Sequence, residues 1–175
     1  FSDIWNWITG RITGKVVSGA NLVAYYKFEN NVNDESGNGN NGVNYGARFV
    51  AGKVGQAASF DGINDYVSIA GSESLNPRNE ITISQWIKPD TLTPGNTMRI
   101  FQRNAGIWGT YVNASGGFEF YTDTTNNGGS WKYVFYVLPS ANTWYHVVGV
   151  YDGSVMKLYV NGELKSSIAQ TKLLD

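Results

Sequence analysis

The stretch Asn142 to Leu164, NTWYHVVGVYDGSVMKLYVNGEL, holds two strands that each run into a two-residue turn. Tyr145, Val147, Gly149 and Tyr151 fall on one face of the first strand, with His146, Val148 and Val150 on the other. Asp152-Gly153 breaks the run. Met156, Leu158 and Val160 then alternate with Val155, Lys157 and Tyr159 until Asn161-Gly162 breaks the chain again. Period-two alternation around Asp-Gly and Asn-Gly predicts hairpins with type I′ turns, in which both central residues take positive φ. Turn chemistry alone also suits a generic β-meander.

Three further segments narrow the choice: LVAYYKFENNVNDESGNGNNGVNY (Leu22 to Tyr45), FDGINDYV (Phe60 to Val67) and ITISQWIKPD (Ile81 to Asp90). With the Asn142 block they closely resemble, in order and over roughly residues 22 to 165, the laminin-G-like, concanavalin-A-like domains of microbial surface proteins. The resemblance implies an all-β, antiparallel jelly-roll β-sandwich. It does not specify a ligand.

Residue patterns agree with that fold. Strands are expected at Leu22–Glu29, Val43–Val50, Gln56–Phe60, Tyr66–Ile69, Ile81–Lys88, Met98–Arg103, Ile107–Val112, Gly117–Tyr121, Trp131–Leu138, Trp144–Tyr151, Val155–Val160 and Leu164–Ile168. No strongly periodic long helix interrupts them. The Gly/Asn tract SGNGNNG (Ser36 to Gly42) matches a loop of the resembled family and is expected to hold one shape.

The expected organisation is an N-terminal arm or linker over 1–21 and a sandwich over 22–175. Domains of the resembled type continue past such a hairpin into a last strand patterned Ile-Asp-Glu-Val-Arg-Ile-Tyr, which does not appear before Asp175. The sandwich is therefore expected to lack that strand unless it closes differently, is completed by the arm or a neighbouring chain, or the sequence is a fragment. In the arm, Ile4, Trp5, Trp7 and Ile8 form an apolar cluster and Val16-Val17 precedes a Ser18-Gly19-Ala20 hinge. An open sheet edge accepts a donated strand, so these six residues are the expected assembly contacts between copies of the chain.

Composition bounds the partners. The 175-residue chain is 15% charged, against about 25% for a typical globular protein, so Asn, Ser, Thr, Tyr and Gly supply most of the polarity. A formal charge of −1, with 13 basic residues scattered along the chain, gives no footprint for nucleic acid. There is no cysteine, so neither disulfides nor thiolate metal sites arise. The single histidine, His146, cannot form a multi-His zinc site; it is expected in a core or edge role. No apolar run reaches the ~18 residues of a membrane span. The resemblance, with a first residue other than Met, leads us to expect an extracellular or cell-surface location after loss of a leader.

Candidate sites follow from side-chain chemistry. Hard cations take several oxygen ligands, and Glu29 and Asp34, with Asn30, Asn33 and Ser36 beside them, are the expected ligands of one structural calcium ion; the competing role for Asp34 is turn stabilisation. The rim calcium site of laminin-G domains, implied by the resemblance, is expected to be absent because Asn104-Ala105-Gly106 carries no carboxylate. Tyr121, Asp123, Asn126, Asn127 and Trp131 bound a Gly/Asn/Thr-rich loop and are the expected ligand rim. Most of the aromatic rings between Trp108 and Tyr136 are expected inside the core. Glu119, in EFYTD, lacks the central carboxylate of the hydrolases of this fold and is expected to be an exposed strand residue. Asn113-Ala114-Ser115 is an N-glycosylation pattern.

The leading expectation is a non-catalytic extracellular recognition or adhesion module that binds carbohydrate or a surface protein. The alternatives are a structural subunit of a filament or surface layer, and an accessory domain of a secreted glycoside hydrolase.

Overall fold

The alternation read along 145–160 is the frame of the protein. In the computed structural model, which describes residues 22–93, 95, 97–103, 107–123 and 131–174, strands β10 (Tyr145–Tyr151) and β11 (Val155–Val160) pair antiparallel with Val147 opposite Val160 and Tyr151 opposite Met156. Tyr145, Val147 and Tyr151 are buried with Met156, Leu158 and Val160 on one side of the pair. The arm residues Ile4, Trp5, Trp7, Ile8, Val16 and Val17 lie outside the described residues, as do Asn126 and Asn127. So does the 104–106 loop.

The chain divides into two compact units at the Asn76/Pro77 boundary. In the second, β5 (Ile81–Ile87) and β12 (Glu163–Ala169) flank the central hairpin in the order β12-β11-β10-β5. A second antiparallel sheet runs β6 (Met98–Gln102), β7 (Trp108–Val112), β8 (Gly117–Thr122), β9 (Lys132–Val137). One core lies between them, with Val112, Phe118, Phe120, Val134, Val147, Met156 and Leu158 at its centre. Phe120 reaches so far across that a Cβ on Gly149 would come within 2.4 Å of its ring. The architecture is the all-β antiparallel sandwich of jelly-roll type.

The first unit has two short ladders: β1 (Gly42–Tyr45) with β4 (Tyr66–Ile69), and β2 (Arg48–Ala51) with β3 (Gln56–Ser59). A 3-10 turn follows at Glu73–Leu75.

Three local expectations need correction. Val43–Val50 is two strands, because Gly46 turns the chain at φ +95, a conformation that suits glycine. Leu22–Glu29 joins no ladder. The Tyr25 N–H goes to the Asp34 carboxylate at 2.9 Å, and Phe28 takes φ +58. Asn161 and Gly162 both have positive φ as type I′ requires, but at Asp152-Gly153 only the glycine does. Asp152 Oδ1 instead accepts the N–H groups of Ser154 at 3.1 Å and Val155 at 2.8 Å, building a wider Asx-type turn.

Candidate functional site

The outward face of the β6–β9 sheet carries the most concentrated chemistry among the described residues of the second unit. Along β8, Phe118, Phe120 and Thr122 point into the core with no exposure, so Gly117, Glu119 and Tyr121 point outward. Register then builds two rows on that face. Tyr121 stands between Gly109 on β7 and Tyr133 on β9, and Glu119 stands between Tyr111 and Phe135. Arg99 of β6 is opposite Tyr111 at the end of the second row.

Most of the aromatic rings between Trp108 and Tyr136 pack inside as expected, Tyr121 and Tyr136 among them, and the rings along β9 are the exception. Trp108, Phe118 and Phe120 are in the core, but Trp131, Tyr133 and Phe135 are 42%, 45% and 50% exposed, with Val137 continuing the stripe. Both faces of this strand are apolar, and Val134 occupies the inner one. Trp131 lies flat on Tyr121, ring centroids 4.3 Å apart and planes 14° apart. Tyr111 is tilted against Tyr121 at 5.4 Å, and Tyr133 against Phe135 at 6.2 Å.

Glu119 is also corrected: it is 6% exposed rather than at the surface. The Tyr111 hydroxyl donates to its Oε2, and Asn113 Nδ2 donates to Oε1 at 2.6 Å. A buried carboxylate needs such partners. Burial, then the bond to the carboxylate, pushes the Tyr111 phenol far above its ordinary value. Asn113 Oδ1 in turn accepts the N–H groups of Ser115 and Gly117, both at 2.9 Å. The acceptor amide of the glycosylation pattern is thus committed to the sheet's own hydrogen bonds.

Tyr121 is fully buried, with the Arg99 side chain as the polar group acting on its hydroxyl. Burial raises its pKa, and the Arg99 guanidinium pulls the other way. The ring crosses Gly109, where a Cβ would lie 2.8 Å from the hydroxyl. Of the five residues expected to form the ligand rim, the structure brings Tyr121 and Trp131 together, and Asp123 follows directly after β8. Tyr133 and Phe135 extend the exposed row, with Tyr111, Glu119 and Asn113 bonded together beside it. Sequence reasoning missed this grouping because it required knowing which face of β9 is inner. The i, i+2 spacing of Glu119 and Tyr121 was the available signal.

On the opposite sheet, His146 Nε2 lies 2.9 Å from Ser84 Oγ, with the His146 ring 5.1 Å from that of Trp86. Burial lowers its pKa, so the imidazole is neutral near pH 7. This is the structural role expected for it.

In the first unit, Asp34 organises its own loop. Its Oδ1 accepts from Tyr25 N and Ser36 N, and its Oδ2 from Ser36 Oγ at 2.8 Å and Asn40 N at 3.0 Å. Burial alone would raise its pKa, but these donors outweigh it and hold the carboxyl below the usual range. Asn40 is buried and bonds Val23, Ser72 and Ser74, so the SGNGNNG tract is pinned from several sides. Glu29 Oε1 accepts the Gln56 N–H at 3.1 Å. A carboxylate offers about four lone-pair sites, and Asp34 has spent all four. Among the described residues no cluster of three or more His, Asp or Glu side chains forms a metal cage.

A two-sheet antiparallel sandwich with an aromatic and polar outer face defines a lectin-like jelly roll. The chain belongs to the concanavalin A-like lectin/glucanases superfamily, whose Laminin_G_3 family model matches residues 60–175. Among solved structures, it is similar to domain 4 of AbnA, a GH43 extracellular arabinanase from Geobacillus stearothermophilus in complex with arabinotriose. The two are 23% identical with a TM-score of 0.67, over 87% of this chain and 77% of that one. It is also similar to an S-layer domain-containing protein from Clostridium thermocellum, 24% identical with a TM-score of 0.52, over 83% of this chain and 71% of that one. Comparison with curated proteins gives no significant match.

Proposed function

We propose that this chain is a non-catalytic extracellular recognition module that binds carbohydrate on the exposed aromatic row of Trp131, Tyr133 and Phe135 along β9. The observation that carries the reading is the stacked Trp131–Tyr121 pair continuing into the exposed Tyr133 and Phe135 rings. Flat rings offer apolar contact to the C–H faces of a sugar, and the few polar groups beside them orient its hydroxyls. Arg99, opposite Tyr111, and Asp123, the residue after β8, are candidates for such groups. The arabinanase domain of the same fold holds arabinotriose, which makes arabinan oligosaccharides the first ligands to try. A role in adhesion or as an accessory domain of a secreted hydrolase would use the same face.

Spacing supports a non-catalytic role. Glycoside hydrolysis needs two carboxyl groups about 5–5.5 Å or about 6.5–9.5 Å apart. Glu119 is followed on its face by Tyr121, and Asp123 lies four residues on, about 13 Å along an extended strand. The test is affinity electrophoresis and calorimetry with arabinan and other neutral polysaccharides, with reducing-sugar release as a control. Retardation without sugar release supports the reading; release, or no binding to any glycan or protein ligand, removes it.

A second reading has its own observation. Among the described residues β9 is an edge strand of its sheet, beside the exposed Trp131-Tyr133-Phe135-Val137 stripe, and an apolar edge is a template for pairing with another chain. Under this reading the chain is a structural subunit, and light scattering would show assembly without glycan.

A further inference from the structure

The loops joining the ladders of the first unit surround a cavity of about 260 Å³, lined by Gly46, Arg48, Ser59, Phe60, Asp61 and Asp65. Its acidic wall is rigid. Asp61 Oδ1 accepts the N–H groups of Ile63, Asn64 and Asp65 at 2.8, 3.2 and 3.3 Å, and Asp65 Oδ2 accepts the Asp61 N–H at 3.0 Å. The other oxygen of each carboxylate makes no hydrogen bond with the described residues. Arg48 is in none of the ion pairs among the described residues, which are Lys27–Glu35, Lys157–Asp152 and Lys165–Glu163. Gly46, at φ +95, keeps the cavity open, since a Cβ there would lie 1.9 Å from Asp65 Oδ1. Around the opening Phe60 and Ile63 are exposed, and the exposed Tyr45 and Tyr66 rings stack at 4.6 Å.

We infer that this cavity is a second glycan subsite, holding a single ring of a neutral sugar. Two free carboxylate oxygens accept from neighbouring hydroxyls, the Arg48 guanidinium donates to them, and Phe60 covers a C–H face. The volume lies just below the roughly 300 Å³ at which pockets for larger ligands begin, which fits one ring rather than a chain segment. Two carboxylates against one guanidinium leave the lining net negative, so uronic and sulfated sugars are disfavoured. Arg48 equally disfavours a bare cation. The subsite goes beyond the sheet-face reading and uses none of its residues.

The test is saturation-transfer NMR on the full chain with the methyl glycosides of arabinofuranose, galactopyranose and glucopyranose. At least one glycoside should give signal, and Arg48→Ala and Phe60→Ala should each weaken binding at the cavity by about tenfold, the equivalent of 1.4 kcal/mol. Shifts of the Gly46, Asp61 and Asp65 amide resonances on adding the glycoside should mark binding in the cavity apart from binding on the sheet face. Both cavity variants replace exposed side chains, and circular dichroism checks that they fold. Absence of signal from every glycoside overturns the subsite, as does signal that ignores both cavity variants. Glycoside binding that shifts none of these three amides also overturns it, while leaving the sheet-face reading intact. Calcium alone shifting the Asp61 and Asp65 amide resonances would assign the cavity to a cation and overturn it as well.

Discussion

Trp131 and Tyr121 form a parallel stack in which one ring is exposed and the other fully buried, with centroids 4.3 Å apart. Trp131 therefore serves both as surface and as cover. Removing it by Trp131→Ala should weaken glycan binding at least tenfold and also cost stability. Aromatic pairs contribute about 0.5–1.5 kcal/mol beyond area burial. Calorimetry and urea denaturation separate the two effects; glycan affinity unchanged in the variant would remove Trp131 from the site.

Glu119 holds two donors, the Tyr111 hydroxyl and the Asn113 amide, that bond no other acceptor among the described residues. Glu119→Ala should strand the Tyr111 hydroxyl and the Asn113 amide at a cost of about 1–3 kcal/mol, read as a lower urea midpoint with unchanged slope. Glu119→Gln retains one acceptor and should cost less. If alanine is no worse than glutamine, the carboxylate is not organising this face.

Gly149 lies under Phe120. With only 2.4 Å available to a Cβ, Gly149→Ala should displace the ring and destabilise the sandwich by about 1–3 kcal/mol, the usual cost of overpacking. Phe120→Leu in the same background should recover part of the loss, since it removes ring atoms nearest the new methyl. A double-mutant cycle measures that coupling.

The Asp152 carboxyl is held down to about 2 by the Ser154 hydroxyl and the Val155 and Ser154 N–H groups, with Lys157 contributing. A folded value below the unfolded one contributes stability that is fully present above about pH 4 and lost as pH falls through about 2. Its side chain is 36% exposed, so solvent screening keeps the effect modest. Asp152→Asn should lower the melting temperature at pH 7 and narrow the wild-type difference by pH 2. A constant difference across that range would exclude the linkage.

Asp34→Ala should loosen the 22–41 segment, seen as faster amide exchange at Tyr25, Ser36 and Asn40, because all three donate to its carboxylate. A calcium ion at Glu29 and Asp34 would have to replace these donors. Melting in calcium against chelator tests it: a rise with calcium supports the ion by mass action, and identical curves leave Asp34 as organiser of its own loop.

Sequence alone determined the elements whose two faces differ. Along 145–160 large apolar residues alternate with smaller or polar ones, so only one orientation buries the correct side, and the Asn161-Gly162 turn carries its own φ requirement. The four ordered blocks likewise carried the family. Tertiary structure decided the rest. In 131–137 both faces are apolar, and alternation cannot choose between Val134 and the Trp131-Tyr133-Phe135 row. The choice depends on β8, which commits Phe118 and Phe120 to the core and so turns Glu119, Tyr121 and the β9 rings outward together. The same register converts Glu119 from an apparent surface residue into a buried acceptor, because Tyr111 and Asn113 reach it only across the β7–β8 hairpin. The Arg48–Asp65 cavity was hidden for a similar reason: its lining comes from two loops more than ten residues apart, which only the paired ladders bring together.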